Sequence, residues 1–396
     1  MKDIVIIANF CDGPNENTNN RFNYLAKLFS ESNSKVELIT SNYSHRLKKK
    51  RESTKYSKDL CSYKITMLHE PSYKKNISIK RFYAHKIFSL KVKEYLKGRE
   101  KPDVIYCAIP SLDVGKVVYK YAKSKGIKLI IDVQDLWPEA FKMAFNIPIV
   151  SDLIFYPLKI KADKIYRNAD KIVAVSDTYL NKILQINPNG IGQTVYLGTD
   201  LKDFDKLAEE NKFYKSDDEF WITYIGTLGH SYDIKLVIDA LEIVNNRGVK
   251  GIKFILIGDG PLKDKFENYA SDKNVNVNFV GKLEYAKMVG RLVESDIAVN
   301  PIIKGAAGSI INKVGDYAAA GLAVLNTQDC KEYCKLLEKW NAGINSLSGN
   351  PVDLANNIIK LYSDNNLRLK MGRNNRKLAE NKFDRNEIYK KILEFL

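Results

Sequence analysis

From one end of the chain to the other, apolar runs of about five to eight residues alternate with longer amphipathic stretches. This rhythm restricts the fold more than any other feature. In the first half the runs are Ile4–Phe10, Val36–Thr40, Tyr63–Leu68, Val104–Ile109, Leu129–Val133 and Ile172–Val175; in the second they are Trp221–Ile225, Phe254–Ile257, Val277–Val280, Ile297–Asn300 and Ala323–Asn326. They are rich in β-branched residues, lack clean polar alternation and precede helix-length segments, as parallel strands covered on both faces do. Alternating βα units with right-handed crossovers build doubly wound α/β sheets. At roughly 100–200 residues per domain, 396 residues suit two such sheets better than one. The seam is expected near Leu197–Phe220, giving domains at 1–198 and 199–380 and a final helix within 381–396 that packs back across the first domain.

Composition narrows the class. Hydrophobic and aromatic contents of 45% and 11% exclude a disordered or fibrous chain. The apolar stretch Ile147–Ile160 is interrupted by Asp152 and stays short of the ~18 residues of a spanning helix. Met1–Phe10 reads as a first strand and not as a signal peptide, and five scattered cysteines suit a reducing cytoplasm. Residues 1–200 hold 34 basic and 20 acidic side chains, a net of +14 out of +16, and residues 41–101 alone hold 18 basic and 5 acidic. Such asymmetry points to an anionic partner for the first half: phosphates, nucleic acid or an acidic lipid surface. A solvated basic face with no specific partner is the alternative.

Ligands of open α/β sheets bind at the carboxyl ends of the strands, so two facing sheets place a cleft between them, lined by strand-to-helix turns. Ile225-Gly226-Thr227-Leu228-Gly229-His230-Ser231 is one such turn. Its glycines let backbone approach a diphosphate beside a helix N-terminus, or they simply make a tight βα connection. Ile257-Gly258-Asp259-Gly260-Pro261 reads as mainly architectural. In Asn300–Tyr317 a small-residue loop runs into a helix carrying Ser309, Asn312, Lys313 and Asp316. Lys313 and Asp316 share a helix face; they meet phosphate and ribose hydroxyls, or they form a local ion pair on a capped helix. In the first half, Asp132–Glu139 leaves a strand with three carboxylates and Trp137, suited to sugar hydroxyls or, alternatively, to an N-cap at Asp135 with the indole in the core. Asp203-Phe204-Asp205 is a DxD triplet without a supporting cluster, and Cys330 and Cys334 lack the second pair of a zinc site. His45, His69 and His85 lie in the basic segment, in solvated or phosphate-contacting roles. No nucleophile elbow, Walker loop or metal-binding His pair occurs.

Taken in order, these turns resemble glycosyltransferase family 4, the retaining sugar-nucleotide-dependent transferases with two facing Rossmann-like domains (the GT-B fold). The resemblance covers essentially the whole chain and rests on Gly226–Gly229, Gly258-Asp259-Gly260-Pro261, Val280-Gly281, and Lys313–Asp316 followed by Tyr317–Val324. Asp135-Leu136-Trp137-Pro138 is similar to the bacterial branch that builds O-antigen and capsule units. By position, the resemblance implies a donor site of Gly226, Thr227, Leu228, Gly229, Val280, Gly281, Gly308, Ser309, Ile310, Ile311, Asn312 and Asp316. Of these, Asp316 would take the place of the second glutamate of the family's paired-glutamate motif. The chain departs from the pattern where Gly308 stands for the first glutamate, where Thr227 and Tyr232 replace the usual Arg and Lys, and where Gln134-Asp135 replaces His-Asp. Lys313 and His230 are therefore the candidates for meeting leaving-group charge, with Asp135 and Gln134 orienting sugar hydroxyls. The usual double-glycine loop of the first domain is replaced by Asp12-Gly13-Pro14 and Asn15–Asn20. The acceptor side is assigned to Gly13, Asn20, Arg21, Trp137 and Glu139.

The implied activity is transfer of a hexosyl or N-acetylhexosaminyl group from a nucleotide diphosphate-sugar, a UDP-sugar favoured, with retention and without metal or cofactor. The acceptor is expected to be a free or polyprenyl-diphosphate-linked saccharide of surface polysaccharide synthesis. Residues 41–101 are expected to hold the chain peripherally on the inner, cytoplasmic face of the membrane. Competing readings are a non-catalytic nucleotide-sugar-binding subunit and a GT-B epimerase. A nucleic-acid partner is not expected, because no recognition helix or RNP-type aromatic signature is present.

Overall fold

The computed structural model describes residues 1–13, 16, 20–51, 62–75, 78–140 and 148–396. Most of the Asn15–Asn20 loop and residues 52–61 of the basic segment lie outside them. Two compact units divide the chain, residues 1–195 with 389–396 and residues 196–388.

In the first unit, strands β1 (Lys2–Ile7), β2 (Ser34–Ser41), β5 (Lys64–Leu68), β6 (Val104–Ile109), β7 (Lys128–Val133), β8 (Lys171–Ala174) and β9 (Ile191–Thr194) form one parallel sheet. Its order is β5-β2-β1-β6-β7-β8-β9. A short antiparallel hairpin, β3 (Tyr43–Ser44) and β4 (Lys49–Lys50), stands apart. The helices are α1 (Arg21–Glu31), α2 (Ile79–Gly98), α3 (Leu112–Lys125), α4 (Pro148–Arg167) and α5 (Asp177–Ile186). The apolar runs are strands because both their faces are covered. Ile4, Val5, Ile6 and Ile7 are all buried without alternation, and each such side chain contributes ~1.5–3 kcal/mol. Local signals set the helix ends: Ser78 and Ser176 cap α2 and α5 by accepting from Arg81 N and Tyr179 N, and Gly126 closes α3 in the left-handed region. Residues 389–396 return to this unit. Tyr389 packs its ring against Tyr24, and the Leu396 carbonyl accepts from Lys2 and Lys128.

The second unit repeats the plan. Parallel strands β10 (Phe220–Ile225), β11 (Ile252–Ile257), β12 (Val277–Gly281), β13 (Ile297–Asn300), β14 (Ala323–Asn326) and β15 (Gly343–Asn345) take the order β12-β11-β10-β13-β14-β15. Helices α6 (Leu201–Glu210), α7 (Ile234–Asn246), α8 (Lys263–Asp272), α9 (Tyr285–Val293), α10 (Lys313–Ala319), α11 (Lys331–Trp340), α12 (Pro351–Ser363) and α13 (Asn365–Leu378) cover it. Strand order reverses between β10 and β13, and in open α/β sheets that switch point is where a crevice for ligand opens. Among the described residues no helix is long and apolar enough to cross a membrane.

Candidate functional site

At the switch point of the second unit, β10 ends in the Gly226 turn. Gly226 adopts φ +130°, and its N–H donates to Ile257 O at 2.9 Å. The turn after β11 supports it from below: Leu228 N donates to Asp259 O at 3.0 Å and Gly258 N to Gly281 O at 2.9 Å. A Cβ on Gly258 would stand 1.8 Å from Gly226 O, and one on Gly260 2.3 Å from Leu228 O. Gly258-Asp259-Gly260 is thus a backbone platform for the first turn. A G258A chain is expected to lose at least about 1–3 kcal/mol in a urea titration, because backbone and not a flexible side chain must give way.

Lys313 opens α10 and is buried. Its Nζ lies 3.8 Å from the Tyr224 ring centroid and 3.9 Å from that of Tyr232, with no hydrogen-bond acceptor among the described residues. A Cβ on Gly226 would be 2.6 Å from this Nζ, so the amine sits directly against the glycine turn. Burial pushes the Lys313 pKa well below its ordinary value. Tyr224 is fixed by donating from its hydroxyl to Thr227 O at 2.7 Å, and Tyr317 OH accepts from Ile225 N at 3.1 Å while donating to Val299 O at 3.2 Å.

Asp316, one turn further, faces elsewhere. Its Oδ1 accepts from Thr199 Oγ1 at 2.8 Å and from Tyr285 OH at 2.9 Å. Burial raises its pKa against these bonds and the nearby Arg385. The local ion pair left open by the i, i+3 spacing is not formed: Lys313 turns to the tyrosines and Asp316 to Thr199 and Tyr285. Both bonds to Asp316 fall on Oδ1.

The small-residue loop is held by Gln328, whose Nε2 donates to Ser309 O at 2.7 Å. Ser309 and Ile310 are buried, Gly308 and Asn312 are exposed, and Ile311 is half-buried. The helix expected to begin at Ser309 starts only at Lys313 and runs seven residues, and Asn312 makes no side-chain cap. Leu228 gives its side chain to the core, whereas Thr227 and His230 are exposed and Gly229 is half-buried. Val280 and Gly281 close β12, with Gly281 at φ +81°. The DxD triplet is engaged internally: Asp205 takes a bidentate contact from Arg376 at 2.7 Å on each oxygen, and Asp203 lies in the first turn of α6, its N–H bonded to Asp200.

In the first unit Asp135 accepts from Trp137 Nε1 and Tyr179 OH, each at 3.3 Å, and burial raises its pKa. The Gln134 Nε2 is buried without a partner among the described residues. Trp137 is buried and stacks on His85, centroids 5.8 Å apart, with the Arg81 guanidinium 4.9 Å from its ring. Phe10, His45 and Tyr73 complete this aromatic group. Burial, aided by neighbouring cations, lowers the pKa of His45 and His85 to about 3. His85 is buried in this group, and His45 is half-buried with Nδ1 2.7 Å from Tyr73 OH.

The other acceptor-side residues have partners within the first unit. Arg21 does not face outward: it is buried, with Nε 2.7 Å from Asp132 Oδ2 and a further bond to Val195 O. The buried Asp132 draws the nearest cation inward. Asn20 is the N-cap of α1, accepting from Phe22 N at 2.9 Å. Glu139 pairs with Lys182 at 2.8 Å, and Gly13 is buried with its carbonyl accepting from Glu16 N.

Residues 205–378 match the family Glycosyl transferases group 1, slightly under half of the chain. An uncharacterized glycosyltransferase of Methanocaldococcus jannaschii, MJ1069, is 25% identical over 239 residues, 59% of this chain and 60% of that protein. The chain thus matches less than two thirds of that relative's length. A sucrose-phosphate synthase from Thermosynechococcus elongatus superposes with a TM-score of 0.75 at 16% identity, covering 100% of this chain and 98% of that one. HepE of Anabaena in complex with UDP does so at 0.68 and 15% identity, covering 100% and 99%. The fold is therefore that of GT-B proteins, with two parallel-sheet Rossmann-like units, as the resemblance implied.

Proposed function

We propose that the chain is a retaining glycosyltransferase that takes a sugar from a nucleotide diphosphate-sugar, a UDP-sugar foremost. One observation carries this reading: the buried Lys313 amine, without a hydrogen-bond acceptor, held against the glycine turn at a strand-order switch point. Burying an ammonium without a partner is costly, and a diphosphate brought to the Gly226 turn supplies the missing anion. The family matched by residues 205–378 and the UDP bound by Anabaena HepE support the same ligand class.

In this reading the bond between the anomeric carbon and the β-phosphate oxygen breaks, and its electron pair stays on the phosphate. Lys313 and the N–H groups of the Gly226 turn other than those bonded to Ile257 O and Asp259 O meet that charge. The acceptor hydroxyl attacks from the face being vacated, and its proton passes to the departing phosphate oxygen. Asp316 receives the ribose hydroxyls on Oδ2, and Gln134 and Asp135 orient sugar hydroxyls. The reading invokes no metal, and Asp205 is already committed to Arg376. The acceptor is a saccharide, lipid-linked at the inner membrane face, in surface polysaccharide synthesis of the O-antigen or capsule type.

The test is thermal stabilisation by a panel of nucleotide diphosphate-sugars, followed by product analysis by mass spectrometry and anomeric assignment by NMR. Stabilisation without transfer or donor hydrolysis would favour a non-catalytic subunit instead, and an isomerised donor an epimerase. Removing the Asp316 charge is expected to weaken donor binding by about tenfold or more, since a hydrogen bond to a charged group is worth ~1.5–3 kcal/mol. Calorimetric titration of D316N with UDP checks this.

A further inference from the structure

Helices α2, α3 and α4 follow β5, β6 and β7 by parallel crossovers, and α3 packs against both of the others. They therefore lie side by side on one face of the first unit's sheet, with their N-termini at the carboxyl edge of its strands. Their outward faces have a composition that packing does not explain. On α2 the residues Ile79, Tyr83, Lys86, Leu90, Lys93 and Lys97 recur at i, i+4, i+7, i+11, i+14 and i+18, one helical stripe, and all are exposed. On α3 the matching stripe is Lys116, Lys120 and Lys123. On α4, Leu153, Ile154 and Tyr156 stand out, with Lys159 and Lys164 behind them.

The most exposed apolar members lie in the N-terminal halves, with Leu90 on α2 and Ile160 on α4 further along. Ile79 is 88% exposed, Tyr83 59%, Leu153 78% and Ile154 63%. Lysines fill the rest of the face. Glu94, Asp113 and Asp163 are each taken up by a lysine, Lys91, Lys161 and Lys159 respectively, while Lys86, Lys116 and Lys120 have no carboxylate partner among the described residues. Partial burial and then repulsion by Lys120, Lys161 and Lys86 lower the Lys116 pKa against the pull of Asp113.

We propose that the α2–α3–α4 face docks on an anionic phospholipid bilayer, with the apolar residues at its leading edge entering the interface and the lysines resting on the headgroups. Exposed apolar groups flanked by cations are what an anionic interface selects. A second copy of this chain is disfavoured, since it would oppose lysine to lysine. The surface differs from the one expected from charge alone. In the basic stretch before residue 52, Arg51 is buried on Glu16, Ser41 O and Cys11 O, and Arg46 leans on Asp12. The apolar anchor on α4 lies outside residues 41–101 altogether. Docked this way, the carboxyl edge of the sheet, where Gln134 and Asp135 lie, is brought towards the bilayer. That purpose rests on the transferase reading; the docking itself does not.

The test is co-sedimentation of the full chain with phosphatidylcholine vesicles, with and without phosphatidylglycerol, over a salt series. Binding is expected only with the anionic lipid and to fall with salt. At roughly a fivefold factor per lysine, K116E/K120E/K123E should lower partitioning by about a hundredfold. L153S/I154S should weaken it while leaving the salt response, and K49E/K50E on β4 should bind as the parent does. Equal binding to both vesicle types, or full binding by the triple variant, overturns the proposal. So does sedimentation equilibrium showing that the triple variant dissociates a dimer. UDP-induced stabilisation of the same samples keeps the two readings apart. Vesicle binding without a response to UDP or to any nucleotide diphosphate-sugar of the panel sinks the transferase and leaves the surface, and the reverse sinks the surface alone.

Discussion

A K313M chain should fold, withstand heat better than the parent when no ligand is present, and transfer sugar about a hundred- to a thousandfold more slowly. The loss follows from removing the buried cation at the glycine turn, since one preorganised group aimed at developing charge is worth ~2.7–4 kcal/mol of barrier. The gain has the opposite origin. In the empty protein the Lys313 amine lies over two tyrosine rings without a hydrogen-bond acceptor, so an apolar side chain of similar length removes a desolvation cost. The pH dependence has a definite sign. Burial lowers the folded-state pKa of Lys313 below its ordinary value of 10.5. Between those two values the unfolded chain binds the additional proton, so the parent's ligand-free stability rises with pH across that window. K313M should lose this slope. Donor binding favours the ammonium, so in the parent it should take up a proton when measured above the lowered pKa, seen as a buffer-dependent calorimetric heat. A variant that keeps both the UDP response and normal turnover would remove Lys313 from the donor site.

The strands of both sheets were legible because burial on two faces leaves unbroken apolar runs. Val104–Ile109, Ile297–Asn300 and Ala323–Asn326 coincide with observed strands, and most of the others differ by one or two residues at an end. The edge strands β9 and β15 were not. Ile191-Gly192-Gln193-Thr194 and Gly343-Ile344-Asn345 are short and partly exposed, so neither needs the apolar excess that marks a central strand. At the site the glycines were readable, because close backbone approach leaves its mark as a missing side chain. Directions were not. Spacing joined Lys313 to Asp316, but their orientations are set by Tyr224 and Tyr232 on one side and Thr199 and Tyr285 on the other. None of these four has a local pattern that separates it from an ordinary core or loop residue.

The same limit explains Arg21, and it leads to the largest expected change in stability. R21M should cost about 3–5 kcal/mol, because it leaves the Asp132 carboxylate buried without its cation. Asp132 Oδ2 accepts from Arg21 Nε at 2.7 Å and from Tyr106 OH. The guanidinium also donates to Val195 O at 3.0 Å and lies 4.7 Å from the Tyr389 ring centroid, so it ties β7, the end of β9 and the returning C-terminal residues into one unit. Burial alone would lower the Arg21 pKa; Asp132, Tyr389 and Tyr106 together outweigh it and push the value up. In R21M/D132L both charges go together, and most of the lost stability should return, since replacing a buried pair by apolar groups is often neutral or favourable. Urea midpoints of the two variants decide the matter. An acceptor-binding arginine would instead leave the midpoint in place and raise KM for the acceptor, and the second substitution would restore nothing. UDP stabilisation should persist in both variants at temperatures where they are folded, because every residue assigned to the nucleoside diphosphate belongs to the other unit.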